Sequence, residues 1–125
     1  MKTVLVSGSR DFTNKEVLFA VLDKVTKELL GGWDTLPPPD SVRIIHGANR
    51  GVEMMSTDWA RARLCDYDEF PANWTRFKKE ANSISYTKMI LEDPDVLIAF
   101  PGTDANLISK AKFAQVKVIE VKGEI

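Results

Sequence analysis

Val4-Leu5-Val6-Ser7-Gly8-Ser9 decides the fold. Three apolar residues, two of them β-branched, run straight into small polar residues around a glycine. This reads as a buried strand ending in a tight loop. Just downstream, Thr13-Asn14-Lys15-Glu16 has the Ser/Thr-x-x-Glu form of a capping box. Val17, Val21, Val25 and Leu29 then recur every fourth residue, with Leu18 and Leu22 beside them. That spacing predicts an amphipathic helix, and Gly31-Gly32 closes it.

The same alternation repeats along the chain. Val42 to Ile45 predicts a second strand, followed by His46-Gly47-Ala48-Asn49-Arg50-Gly51 and a helix over Val52 to Leu64 with Met55 and Trp59 on one face. Asp66 to Phe70 predicts a third strand, placed at an edge because its charges suit no central position. Trp74 to Leu91 reads as helical, broken near Asn82-Ser83. Val96-Leu97-Ile98-Ala99-Phe100 is the most apolar strand, and Pro101-Gly102-Thr103-Asp104 turns it into a helix carrying Leu107, Ile108, Ala111 and Ala114. Val116 to Val121 is the last strand. Strands that alternate with helices imply a parallel sheet covered on both faces. The expected fold is therefore α/β, a Rossmann-like doubly wound parallel sheet of about five strands in a single domain over residues 1–125. Val4–Val6 and Val96–Phe100 should be its central pair, because both are continuously apolar. The stretch from Trp33 to Ser41, with Pro37-Pro38-Pro39, reads as a stiff surface connector.

Composition narrows the partners. The chain has 125 residues, 17 basic against 18 acidic, for a formal net charge of −1. That balance gives nonspecific nucleic-acid binding no global support. Cys65 and His46 are the only residues of their types, so neither a disulfide nor a Cys/His zinc cage can form within the chain. We expect no metal and no cofactor. No apolar run approaches the roughly 20 residues that span a bilayer. The expected setting is cytoplasmic, with no membrane partner.

In doubly wound sheets, ligands bind beyond the carboxyl ends of the strands, where the strand order reverses. The chain places its glycines and small polar residues there: Ser7-Gly8-Ser9-Arg10 after the first strand, Gly47 with Asn49-Arg50-Gly51 and Glu53 after the second, and Pro101-Gly102-Thr103-Asp104 after the fourth. Each loop leads toward a helix N-terminus, which favours an anion, and the two arginines suit phosphate or carboxylate. These residues, together with Trp74, form the expected ligand-binding set, with Arg50 as a phosphate contact. Trp74 either stacks on a base or seals the sheet edge. None of the loops has the full Gly-x-Gly-x-x-Gly or P-loop spacing. His46 reads as a satisfied strand-end histidine, and no residue is assigned a catalytic role.

Taken together, these stretches resemble the SLOG superfamily, and within it the YspA-like branch. The resemblance lies in Val4-Leu5-Val6-Ser7-Gly8-Ser9-Arg10-Asp11-Phe12, in His46-Gly47-Ala48-Asn49-Arg50-Gly51-Val52-Glu53, in Phe70-Pro71-Ala72-Asn73-Trp74, and in Leu97-Ile98-Ala99-Phe100-Pro101-Gly102. It implies a Rossmann-like fold that binds nucleotides or molecules derived from them. Enzymes of the wider superfamily cleave a base from a ribose phosphate, using an arginine on the third helix and a glutamate after a Pro-Gly-Gly-x-Gly-Thr loop. Here the arginine and the asparagine that follows it in those enzymes are replaced by Ser85 and Tyr86, and the glutamate would fall at Asn106 or Leu107. The cation and the acid/base group are thus missing where the resemblance would put them.

The expected function is binding of a nucleotide-like small molecule, as sensor or scavenger, without catalysis. An N-glycoside hydrolase using Asp11, Glu53 or Asp104 is the alternative, and an interaction module for nucleic acid or protein is a third. Trp74, Phe77, Ile84, Tyr86 and Ile90 offer more apolar surface than one helix stripe needs, so a homodimer or higher homo-oligomer is expected through the third-helix region.

Overall fold

In the computed structural model, which describes residues 1–122, the chain alternates between strand and helix along its length. The strands are β1 (Lys2–Ser7), β2 (Val42–His46), β3 (Asp66–Glu69), β4 (Val96–Ala99) and β5 (Lys117–Glu120). The helices are α1 (Lys15–Leu30), α2 (Val52–Ala62), α3 (Trp74–Phe77), α4 (Ala81–Leu91) and α5 (Ala105–Phe113). The sheet runs in the order β3-β2-β1-β4-β5, with every pair parallel. Val4 to Val6 lie beside Val96 to Ile98, at the centre. The order reverses between β1 and β4, which places the switch point above that pair.

Side-chain alternation explains why helices cover both faces. Val4, Val6, Ile44 and Ile98 point to one side, where Leu18, Leu22, Val25 and Trp59 from α1 and α2 meet them. Leu5, Ile45, Leu97 and Ala99 point to the other, against Met89, Leu107 and Ala111 from α4 and α5. A continuous apolar run is what period two requires when both faces are buried. The charged β3 sits at an edge, as its sequence dictates, and is largely exposed.

Three local expectations are corrected. The cap of α1 is Asn14, whose Oδ1 accepts the Val17 N–H at 3.2 Å, and not Thr13. An Asn one residue later makes the same bond to its own third neighbour, so the capping box is unused. The break in the 74–91 helical stretch falls at Lys78, whose φ of 53° a right-handed helix cannot contain. Asn82 and Ser83 lie inside α4. The apolar surplus expected on the third-helix region is also mostly absorbed: Phe77, Ile84, Tyr86 and Ile90 are half-buried, and only Trp74 is exposed. The most exposed large apolar side chain is Phe113, at 93%. Among the described residues, no helix is long and apolar enough to cross a membrane.

Candidate functional site

Three loops meet at the carboxyl edge of the sheet, and the first is wedged between the other two. Ser9 N–H donates to the Pro101 carbonyl at 3.0 Å, while the Ser9 carbonyl accepts from Val52 N–H at 3.2 Å. The glycines make this contact possible. A Cβ on Gly51, which has a φ of 83°, would collide with the Ser9 carbonyl. One on Gly102 would lie 2.8 Å from the Ser9 Cβ, and one on Gly8 would lie 2.6 Å from the Val52 methyl. These glycines hold loop against loop.

The wedge leaves a cleft of about 350 Å³ beside Ser7, Gly8, Ser9, Arg10, Asn49, Glu53, Gly102 and Asp104. Asp11, Asn82 and Tyr86 complete its wall. Gly47, Gly51, Pro101 and Thr103 stand behind it: the Gly47 N–H serves Glu53, Gly51 and Pro101 hold the Ser9 loop, and Thr103 Oγ1 donates to the Phe100 carbonyl at 2.7 Å. Arg50 turns outward, 78% exposed, with its guanidinium 3.7 Å from Asp11. Trp74 lies in a separate groove with Phe70, Pro71 and Lys88, beside the β3 edge. The sequence set therefore divides, and Arg10 is the arginine that faces the cleft. Asn82 was not placed at the site by motif reading, and Tyr86 was read only as a replaced catalytic position and as apolar surface. Their signal is spacing: four residues apart on α4, they share a face.

Glu53 is the most constrained side chain here. It sits in the first turn of α2 and is 6% exposed. Its Oε1 accepts from Gly47 N–H at 2.9 Å, Asn49 N–H at 3.3 Å and Asn49 Nδ2 at 3.2 Å. The Asn49 Oδ1 in turn accepts from Arg10 Nη2 at 3.1 Å. Burial pushes the Glu53 carboxyl up from its ordinary range, against the pull of the Asn49 and Gly47 N–H groups and the Arg10 charge. Across the cleft, the Tyr86 hydroxyl donates to Asp104 Oδ2 at 3.0 Å, and Asp104 Oδ1 caps α5 by accepting Asn106 N–H at 2.9 Å. Burial, then the bond to Asp104, raises the Tyr86 hydroxyl, so it remains a proton donor to that carboxylate.

This electrostatic arrangement corrects the expectation of three open anion sites. Asp104 occupies the N-terminus of α5 with its own carboxylate. At α2, the Val52 and Met54 N–H groups are spent on the Ser9 and Asn49 carbonyls, and Glu53 adds negative charge. Helix α1 begins only at Lys15, past the first loop, and Asn14 caps it. The lining thus carries the carboxylates of Asp11, Glu53 and Asp104 against one cation, Arg10.

His46 is fully buried behind the cleft. Its Nδ1 accepts the Ala48 N–H at 2.9 Å, so the ring proton is on Nε2, which donates to Thr57 Oγ1 at 2.6 Å. Burial lowers its pKa from 6.5 to about 4, and it stays neutral. Ser85 is buried as well and donates to the Phe70 carbonyl. Neither side chain offers base or nucleophile to the cleft.

A protein-family model described as "YspA, cpYpsA-related SLOG family" matches residues 2–77. That stretch runs from β1 through α3 and includes Arg10, Asn49 and Glu53. No curated protein and no solved structure matches the chain significantly.

Proposed function

Because the chain belongs to the YspA, cpYpsA-related SLOG family, we propose that it binds a nucleotide or nucleotide-derived molecule in the cleft between the first, second and fourth βα loops. We read it as a sensor or scavenger that releases its ligand unchanged. The observation that carries this reading is the Arg10–Asn49–Glu53 chain. It joins a cation, an amide and a buried carboxylate along one wall, at the switch point where such sheets take ligands. Against turnover stands the structural use of Asp104, Ser85 and His46. Asp104 caps α5 and accepts from Tyr86, Ser85 bonds to a carbonyl, and His46 faces inward.

The deciding experiment is mass spectrometry of small molecules released when the purified protein is denatured, followed by calorimetry with a nucleotide panel. A nucleotide that binds the protein but not Arg10→Ala is the expected result. Binding indifferent to Arg10→Ala, with the fold intact, overturns the placement. One observation favours the hydrolase reading, which is the raised proton affinity of Glu53 beside an open cleft. Free base appearing after long incubation with nucleotides, and vanishing in Glu53→Gln, would establish it instead.

A further inference from the structure

One carboxylate oxygen of the cleft is left over. Glu53 Oε1 takes three hydrogen bonds, while Oε2 has no partner among the described residues. No buried side-chain nitrogen or oxygen there lacks a partner. Oε2 therefore opens into the cleft that Glu53 lines, although the residue as a whole is 94% covered. A buried carboxylate with one oxygen fixed and the other open is an oriented hydrogen-bond acceptor.

Three properties of the wall identify what it accepts from. The lining has no aliphatic side chain, and Tyr86 is its one aromatic, so the cleft suits no purine or pyrimidine ring seeking apolar contact. Arg10 offsets part of the negative charge at Glu53, and the sugar of a nucleotide brings no cation of its own to this wall. Among the described residues, no three His, Cys, Asp or Glu side chains converge as a metal site would require. What remains is a neutral, hydrophilic group that both donates and accepts. Carboxylate oxygens, the Asn82 amide and the Arg10 guanidinium offer both roles around it. Sugar hydroxyls have that character.

We propose that Glu53 Oε2 recognises the vicinal hydroxyls of a ribose ring, so that the cleft holds the sugar of its ligand and the base lies outside it. This rests on the nucleotide reading above and sharpens it: the ligand is a ribo- and not a 2′-deoxyribo-compound. Any phosphate is held by Arg10 alone on this wall.

The test is calorimetry on the intact protein with adenosine 5′-monophosphate, its 2′-deoxy counterpart, methyl β-D-ribofuranoside and adenine. The expected result is at least about tenfold weaker binding of the 2′-deoxy compound, the loss of one hydrogen bond to a charged acceptor. Weak but measurable binding of the ribofuranoside and none of adenine should accompany it. Glu53→Gln should level the ribo and deoxy affinities. Equal affinities in the unmodified protein overturn the diol assignment, whatever the variant does. Binding of adenine without the ribofuranoside also overturns it, and leaves the nucleotide reading standing. Failure of every probe counts against both.

Discussion

His46 and Gly51 show how single residues set the terms for the site without touching a ligand. The imidazole accepts the Ala48 N–H and so shapes the loop that presents Asn49 and Glu53. A folded pKa of about 4 against 6.5 in the open chain makes folding oppose protonation of this ring. Its contribution is fully present above pH 6.5 and is lost as pH falls through about 4. At about 1.4 kcal/mol per unit, the full effect is about 3 kcal/mol. Urea unfolding at pH 7, 5.5 and 4 should show a steeper acid loss in the natural protein than in His46→Gln. Parallel curves would mean that the ring protonates without cost. Gly51→Ala should be worse than a surface change of the same size, because positive φ and the Ser9 carbonyl both oppose a Cβ. We expect a loss of at least roughly 1–3 kcal/mol in the same urea assay. A loss under 0.5 kcal/mol, the roughly neutral range of surface changes, would show that the loops are not packed as described.

At the scale of elements, sequence periodicity determined the sheet and failed at the joints. Val4–Val6 and Val96–Phe100 announced a central parallel pair, because a doubly covered strand has no polar face to spare. The break at Lys78 was invisible, since nothing in Phe77-Lys78-Lys79 marks a positive φ. The candidate cleft was half legible for a related reason. Loops before helices can be read from glycine and serine, but which arginine turns inward is decided by packing. Arg10 meets Asn49 across the wedge, whereas Arg50 is turned out beside Asp11. Asn82 and Tyr86 reach the cleft only because α4 packs beside α5, a contact between distant segments that no local motif encodes. The α1–α2 joint offers a test. Asp23 takes two bonds from Arg63, at 2.9 and 2.8 Å, and one from Trp59 Nε1 at 2.8 Å. Burial pushes its carboxyl up, but these donors outweigh that and hold it below the usual range. Asp23→Ala leaves the indole N–H and the guanidinium without their acceptor, at a cost of about 1–3 kcal/mol. Arg63→Met, which removes the opposing charge but keeps some packing, should cost less. The reverse order in thermal melts would contradict this account.

For the whole molecule, the question is where a ligand's binding energy enters the fold. At least three concavities compete among the described residues. The polar cleft lies at the carboxyl edge, one groove lies around Trp74, and another lies between α4 and α5 beside Leu91 and Phe113. The apolar groove, about 580 Å³, is larger than the 350 Å³ cleft, but size does not select among them. What distinguishes the cleft is connectivity. Ser7, Ser9, Asn49 and Gly102 lie in or just beyond β1, β2 and β4, the three central strands of the sheet, and Glu53 is tied to the loop after β2 through Gly47 and Asn49. A ligand there bridges segments that are far apart in sequence, so it must resist their separation on unfolding. At a free concentration one hundred times its Kd, it should raise unfolding stability by about 2.7 kcal/mol. Hydrogen exchange should then slow at residues 7–11, 47–54 and 100–104 together. Exchange around Leu91 and Phe113 should slow only as far as global stability rises. Protection confined to residues 87–91 and 109–114, or to 69–77, would move the site to one of the other grooves. It would also separate the family's nucleotide chemistry from the edge to which the sheet topology points.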